Sequence, residues 1–180
     1  DVLKLEDATE AGGINSHKCR LILTEGDSAK SFALNGLQVI GNKFYGVFPL
    51  KGKMINVRRA TVQQILKNEE FISFKRIMGL KQGCDYSKDE EFATLRYGRI
   101  ICLTDADVDG SHIATLILTF IYRYMKAMVE QGYVYIAQPP LYLVKKGKEQ
   151  AYAYNEEQRK ALVEKLGGGK EESVTIQRYK

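Results

Sequence analysis

Tryptophan is absent from the 180 residues, and only three cysteines, three prolines and two histidines occur. No stretch approaches the ~20 consecutive apolar residues that a membrane-spanning helix needs. The N-terminal Asp1-Val2-Leu3-Lys4 has no basic segment followed by an apolar one, so no secretory address is read and a soluble chain is expected. Cys19, Cys84 and Cys102 lie far apart with no C-x-x-C pair, which argues against a disulfide framework and a thiolate zinc site and suits a reducing, intracellular compartment. His17 and His112 have no ligand spacing.

Apolar residues make up 44% of the chain, enough for one ordinary globular domain with a small appendage. The formal net charge of +5 and pI near 9.0 suit a polyanion such as DNA without requiring one.

Leu21 to Thr24 reads as a buried strand, Glu25-Gly26-Asp27 as a turn, and Ser28 to Leu37 as a helix ending near Gly36. Val47 to Leu50 predicts a second strand, and Thr61-Val62-Gln63-Gln64 resembles a capping box opening a helix to about Phe71. Gly83 to Glu91 is polar and predicts an exposed loop. Arg99 to Thr104 repeats the strand pattern, with Ser111 as the expected N-cap of a long helix in which Ile113, Leu116, Ile117, Phe120 and Tyr124 share a face and Gly132 is the stop. Strands at Tyr133 to Ala137 and Leu141 to Val144 flank Pro139-Pro140. The tail adds Tyr152-Ala153-Tyr154, a helix capped by Asn155, the break Gly167-Gly168-Gly169 and a strand at Val174 to Tyr179. Alternating strands and helices imply an α/β fold with a parallel sheet, whose ligands bind at the carboxyl ends of the strands. Both acidic turns fall there.

The strongest chemical signal is Asp105-Ala106-Asp107-Val108-Asp109-Gly110, three alternating carboxylates directly after an apolar strand. Carboxylates so crowded repel one another unless a cation or proton intervenes, which favours a divalent metal; the plainer reading is a polar turn capping the helix near Ser111. An EF-hand loop would begin the same way but needs a carboxylate at its twelfth position, which here is Leu116. An aspartyl-nucleophile phosphatase remains an alternative use of an acid pair after a strand. Glu25-Gly26-Asp27-Ser28 also follows an apolar strand. Asp27 or Ser28 alone reads as an N-cap, whereas Glu25 ends its strand at the same expected sheet edge as Asp105. A glutamate opposite a D-x-D-x-D turn suits one or two Mg²⁺ ions acting on a phosphodiester.

Between these turns, Lys51, Lys53, Arg58 and Arg59 place four basic residues in nine. By itself such a run is a solvated surface. Beside a carboxylate cluster it suits phosphate contacts, with Gly52 allowing close backbone approach and Asn56 able to reach sugar, phosphate or a base edge. None of the eleven tyrosines lies in a context that marks a nucleophile.

Taken together, Glu25 to Ala29, Pro49 to Lys53 with Asn56-Val57, Leu95-Arg96-Tyr97-Gly98 and Asp105 to His112 resemble the Toprim module of type IIA DNA topoisomerases, the group of DNA gyrase, topoisomerase IV and eukaryotic topoisomerase II. The likeness runs from about Lys4 to Lys180. Lys4 to Ala8, Leu21 to Lys30 and Tyr45 to Pro49 are similar to the eukaryotic and large-virus enzymes. Asp105 to Ile113, Tyr133 to Tyr142 and Gln177 to Lys180 resemble the bacterial gyrase B protein. A divergent viral or microbial enzyme, or a chimera, accounts for the mixture.

The resemblance implies a Rossmann-like Toprim sheet flanked by helices over residues 1–145, and the start of a small α+β extension over 146–180 of a larger enzyme. It implies that Glu25 and Asp105 hold a metal at the scissile phosphate, Asp105 and Asp107 a second one, and Asp109 a supporting position. Mg²⁺ is the expected ion, with Mn²⁺ or Ca²⁺ as substitutes, and Glu25 doubles as general acid and base. Lys51, Lys53 and Asn56 are the expected DNA contacts, while Asp27, Ser28 and Lys51 line the region where cleavage-trapping drugs act in relatives. Double-stranded DNA and a winged-helix domain or A subunit carrying the tyrosine are the expected partners, in a dimer or A2B2 tetramer located in nucleoid, nucleus or viral factory. ATP belongs to a domain not recognisable in this chain, so the chain alone is expected to be inert. A stand-alone metal nuclease or primase, or a metal-dependent DNA-binding module, is the alternative.

Overall fold

The computed structural model describes residues 4–50, 64, 68–104, 108–137 and 139–178, with the side chains of 108–112 outside that description. The chain forms two compact units, Asp1–Ala137 and Gln138–Lys180.

The first unit holds a four-stranded parallel sheet of β1 (Arg20–Glu25), β2 (Tyr45–Leu50), β3 (Arg99–Thr104) and β4 (Val134–Ala137), in the order β2-β1-β3-β4. Helix α1 (Asp27–Ile40) links β1 to β2. Helices α2 (Glu69–Met78) and α3 (Asp89–Phe92) precede β3, and α4 (Val108–Tyr124) and α5 (Lys126–Glu130) lead to β4. Successive side chains of a strand face opposite ways, so each strand feeds two cores. Leu21 and Leu23 pair with Ile100 and Cys102 on one face, where Phe71, Phe74 and Ile77 of α2 and Ile117, Phe120 and Ile121 of α4 cover them. Ile22, Val47 and Leu103 face the other way, against Ala29 and Ala33 of α1. Phe120 is the hub of the larger core, stacked on Phe71 at 4.1 Å between ring centroids and meeting Phe74 edge-on at 5.4 Å. Helices therefore lie on both faces, and the chain leaves β1 towards β2 on one side and returns to β3 on the other. That reversal makes the carboxyl ends of β1 and β3 the topological switch point, where ligands of open α/β sheets bind.

The second unit is a three-stranded antiparallel sheet, β6-β5-β7, of β5 (Tyr142–Lys146), β6 (Glu149–Ala153) and β7 (Thr175–Arg178), with α6 (Glu156–Gly167). Asn155 caps α6 by accepting from the Gln158 N–H at 2.8 Å. β5, read from sequence as part of the stretch ending at residue 145, pairs with β6 and β7 and so belongs to this unit.

Five local expectations are corrected. The long helix read as stopping at Gly132 ends at Tyr124, where Met125 (φ −143°, ψ 55°) breaks it before α5, and the loop read over Gly83 to Glu91 is already helical from Asp89. Gly36 lies inside α1, which continues to Ile40 and ends at Gly41. Phe71 belongs to the start of a helix: Asn68 accepts from the N–H groups of Glu70 and Phe71, and Phe71, Phe74, Ile77 and Met78 then bury one face. Ser111 is not an N-cap, because the backbone is already helical from Val108. The capping-box residues Thr61 to Gln63 lie outside the described residues.

Candidate functional site

Glu25 is the last residue of β1, and Gly26 turns the chain into α1. Gly26 has φ 92° and ψ 152°, a backbone that a side chain would strain, so glycine fits the sharp exit from strand to helix. The turn has no spare residue. Asp27 therefore opens the helix immediately beside Glu25.

The parallel register fixes the neighbours. Glu25 is partnered on one side by Leu50, the residue before Lys51, and on the other by Thr104, the residue before Asp105. Three adjacent strands thus end in step, and the basic block and the acidic triplet each begin one residue beyond that line. Asp105, Asp107, Lys51, Lys53 and Asn56 themselves lie outside the described residues, as does the side chain of Asp109. Among the described residues no three His, Cys, Asp or Glu side chains converge to hold a metal. The EF-hand alternative fails structurally as well: the acidic turn is entered from a strand, and Leu116 is buried in α4.

A cleft of about 330 Å³ opens at this edge, lined by Lys4, Glu25, Asp27, Lys30, Pro49 and Leu50. Asp27 is the drug-pocket candidate found in it; Ser28 is exposed on the first turn of α1. Lys4 and Lys30 were not singled out by sequence, because each is a lone lysine outside any basic run. Lys4 reaches the cleft because its segment is pinned. Glu6 forms a two-way backbone bridge with Val47, at 2.8 and 2.9 Å. Asp7 accepts from the Arg96 guanidinium and the Tyr97 hydroxyl, and that hydroxyl accepts from the Ala8 N–H at 2.9 Å. Burial, above all, raises the Tyr97 pKa, which keeps its hydroxyl a donor to Asp7. Cys102, two residues before Thr104, is buried, and its thiol is pushed up to about 12 by burial, so it packs as a neutral side chain and offers no thiolate.

The Toprim domain model matches residues 20–139, two thirds of the chain and all four strands of the parallel sheet. The chain belongs to the Toprim family. This Toprim chain is 56% identical over 98% of its length to the gyrase B protein of Chitinophaga japonensis, of which it spans 36%. It is 44% identical over 84% of its length to DNA topoisomerase 2 top-2 of Caenorhabditis elegans, of which it spans 10%. Among solved structures, the DNA-binding, cleavage and re-ligation domain of Plasmodium falciparum topoisomerase II superposes with a TM-score of 0.85 at 38% identity, covering 100% of this chain and 24% of that one. Likeness to both gyrase B and topoisomerase 2 accords with the mixed motifs in the sequence. The chain spans about a third or less of these relatives.

Proposed function

We propose that this Toprim chain is the Mg²⁺-dependent DNA-cleaving and religating module of an ATP-dependent type IIA DNA topoisomerase, an intracellular enzyme that passes one duplex through another. The observation that carries the reading is the register placing Glu25 beside Thr104 and Leu50 at the switch point of the sheet. The proposed metal set is Glu25, Asp105 and Asp107, with Asp109 in support. These are all carboxylates, and hard oxygen donors suit Mg²⁺, or Mn²⁺ or Ca²⁺ in its place. Glu25 fits the set, being half-buried at the rim of the cleft.

The reaction is a reversible transesterification. A tyrosine hydroxyl from a winged-helix domain or A subunit gives its proton to solvent as its oxygen bonds to the DNA phosphorus, the phosphorus–O3′ bond breaks, and the 3′ oxygen takes up a proton and leaves as a hydroxyl; the reverse reaction reseals the strand. Bound Mg²⁺ supplies charge stabilisation for the phosphoryl oxygens and the departing 3′ oxygen. Glu25 delivers the proton to that oxygen and takes it back on resealing. Lys51, Lys53 and Asn56 hold the DNA backbone beside it. Double-stranded DNA is the substrate, and the assembled enzyme is a dimer or an A2B2 tetramer.

Plasmid cleavage in Mg²⁺ tests this. The chain alone is expected to leave supercoiled plasmid intact and to hydrolyse no ATP, whereas the enzyme completed with its tyrosine-bearing partner cleaves, and Glu25→Ala abolishes that cleavage. Nicking by the pure chain that disappears in Asp105→Asn would establish the stand-alone nuclease instead.

A further inference from the structure

The cleft beside Glu25 contains two lysines for which the proposed metal chemistry has no use. Lys4 comes from the pinned N-terminal segment and Lys30 from the first turn of α1, and both are exposed. They line one cavity from separate elements, together with Glu25 and Asp27. We infer that Lys4 and Lys30 form a two-sided clamp for a DNA backbone phosphate, distinct from the basic block that begins at Lys51.

Charge gives the first reason. Glu25 and Asp27 alone would put two negative charges on the approach to a site that must admit a polyanion, and their repulsion would act whenever the metal has left. Lys4 and Lys30 set two positive charges against those two carboxylates while the site is metal-free. Each can neutralise a phosphate and release its condensed counterions. Size gives the second reason. At about 330 Å³ the cleft lies at the lower end of the roughly 300–1,000 Å³ of ligand pockets, room for a sugar–phosphate unit rather than a protein segment. The third reason is rigidity. The Glu6–Val47 bridge and the clamp of Asp7 by Arg96 and Tyr97 hold the segment carrying Lys4 against the sheet, far downstream in sequence from its own position. A lysine presented on a fixed backbone loses less freedom on binding than one on a loose terminus.

The inference rests on the topoisomerase reading, and one set of variants separates the two. Affinity of the complete enzyme for a short mixed-sequence duplex is measured by fluorescence anisotropy between about 50 and 200 mM salt, with cleavage followed in the same preparations. Lys4→Gln and Lys30→Gln should each weaken binding about three- to tenfold and lower the salt slope by about one, in variants whose circular-dichroism spectra match the wild type. Lys4→Arg should keep the wild-type slope. Unaltered slopes in both Gln variants, alongside cleavage lost in Glu25→Ala, overturn the clamp and leave the topoisomerase reading standing. A slope that falls for only one lysine also overturns the two-sided arrangement. Normal cleavage by Glu25→Ala and Asp105→Ala overturns the parent reading whatever the lysines do.

Discussion

Glu25 stands in register with Thr104 across the junction of β1 and β3, and the next residue after Thr104 is Asp105. Adjacent parallel strands that end in step deliver their following turns to the same edge. A slip of one residue would put the Glu25 side chain on the opposite face, against α1. Pairing is held by the two-faced core: Leu21 and Leu23 bury against the larger cluster, and Ile22 packs against the smaller. The position of the glutamate is thus a consequence of hydrophobic alternation four residues upstream.

If Glu25, Asp105 and Asp107 share Mg²⁺, the metal-free protein carries carboxylate repulsion that the ion relieves, so removing a ligand acts oppositely on folding and on chemistry. Glu25→Ala, Asp105→Ala and Asp107→Ala should each reduce cleavage strongly in the complete enzyme, while the metal-free unfolding midpoint holds or rises; Asp109→Ala should be milder. Loss of fold would show as a lowered metal-free melting curve. A Mn²⁺-bound structure with the Glu25 carboxylate remote from Asp105 would refute the shared site.

The basic block starts one residue past Leu50, at the same edge. Lys53→Ala should weaken duplex binding equally across sequences and lower the salt slope by about one, as expected for a phosphate contact that carries no base information. Unchanged affinity and slope would mark the block as a solvated run.

Legibility from sequence followed the physics of each feature. The strands at 20–25 and 99–104 announced themselves as apolar runs ended by acidic turns, and the parallel sheet followed from their alternation with helices. Helix ends were read less well, because Gly36 resembles a stop yet sits inside α1 with open space where a side chain would be, and because the start of α2 is marked by a single residue, Asn68, rather than by a periodic pattern. The cleft lysines were invisible for a different reason. Lys4 acquires its place through long-range bonds, from Glu6 to Val47 and from Asp7 to Arg96 and Tyr97, and no periodicity encodes contacts across some forty to ninety residues.

Gly46 is where that long-range tie can be broken from a distance. A Cβ there would lie 2.2 Å from the Tyr97 hydroxyl and 3.1 Å from the Glu6 carbonyl. Tyr97 is fully buried and fixed by Ala8 and Asp7, so it cannot swing away. Gly46→Ala should therefore destabilise the first unit by about 1–3 kcal/mol, the usual range for overpacking, and also weaken duplex binding by releasing the segment that presents Lys4. Tyr97→Phe in the Gly46→Ala background should recover part of the stability, since it removes the clashing oxygen. Denaturant midpoints of the two variants decide this; an additive, non-compensating pair would contradict the clash.

In the second unit, stability should fall away at both ends of the pH scale through one hydrogen bond. The Tyr142 hydroxyl donates to the Glu156 carboxylate, which also accepts from Arg159 at 2.8 Å, and Arg159 reaches on to Glu171 at 2.7 Å. Donation from Tyr142, then from Arg159, lowers the Glu156 pKa. Its contribution is therefore present above the unfolded carboxyl value of about 4.3 and is lost as pH falls through the lower folded value. The same bond raises the Tyr142 pKa. That contribution is complete below the unfolded phenol value of about 10 and is lost as pH rises through the higher folded value. Amide hydrogen exchange of β5 and β6 between these extremes and near neutrality should show protection falling in acid and in alkali. Tyr142→Phe should flatten the alkaline limb and shrink the acid one, where Arg159 still lowers Glu156, whereas Glu156→Gln should flatten the acid limb and shrink the alkaline one, because an amide oxygen still accepts from Tyr142 but carries no charge to hold its proton. Wild-type pH dependence in Tyr142→Phe would show that the bond does not set it.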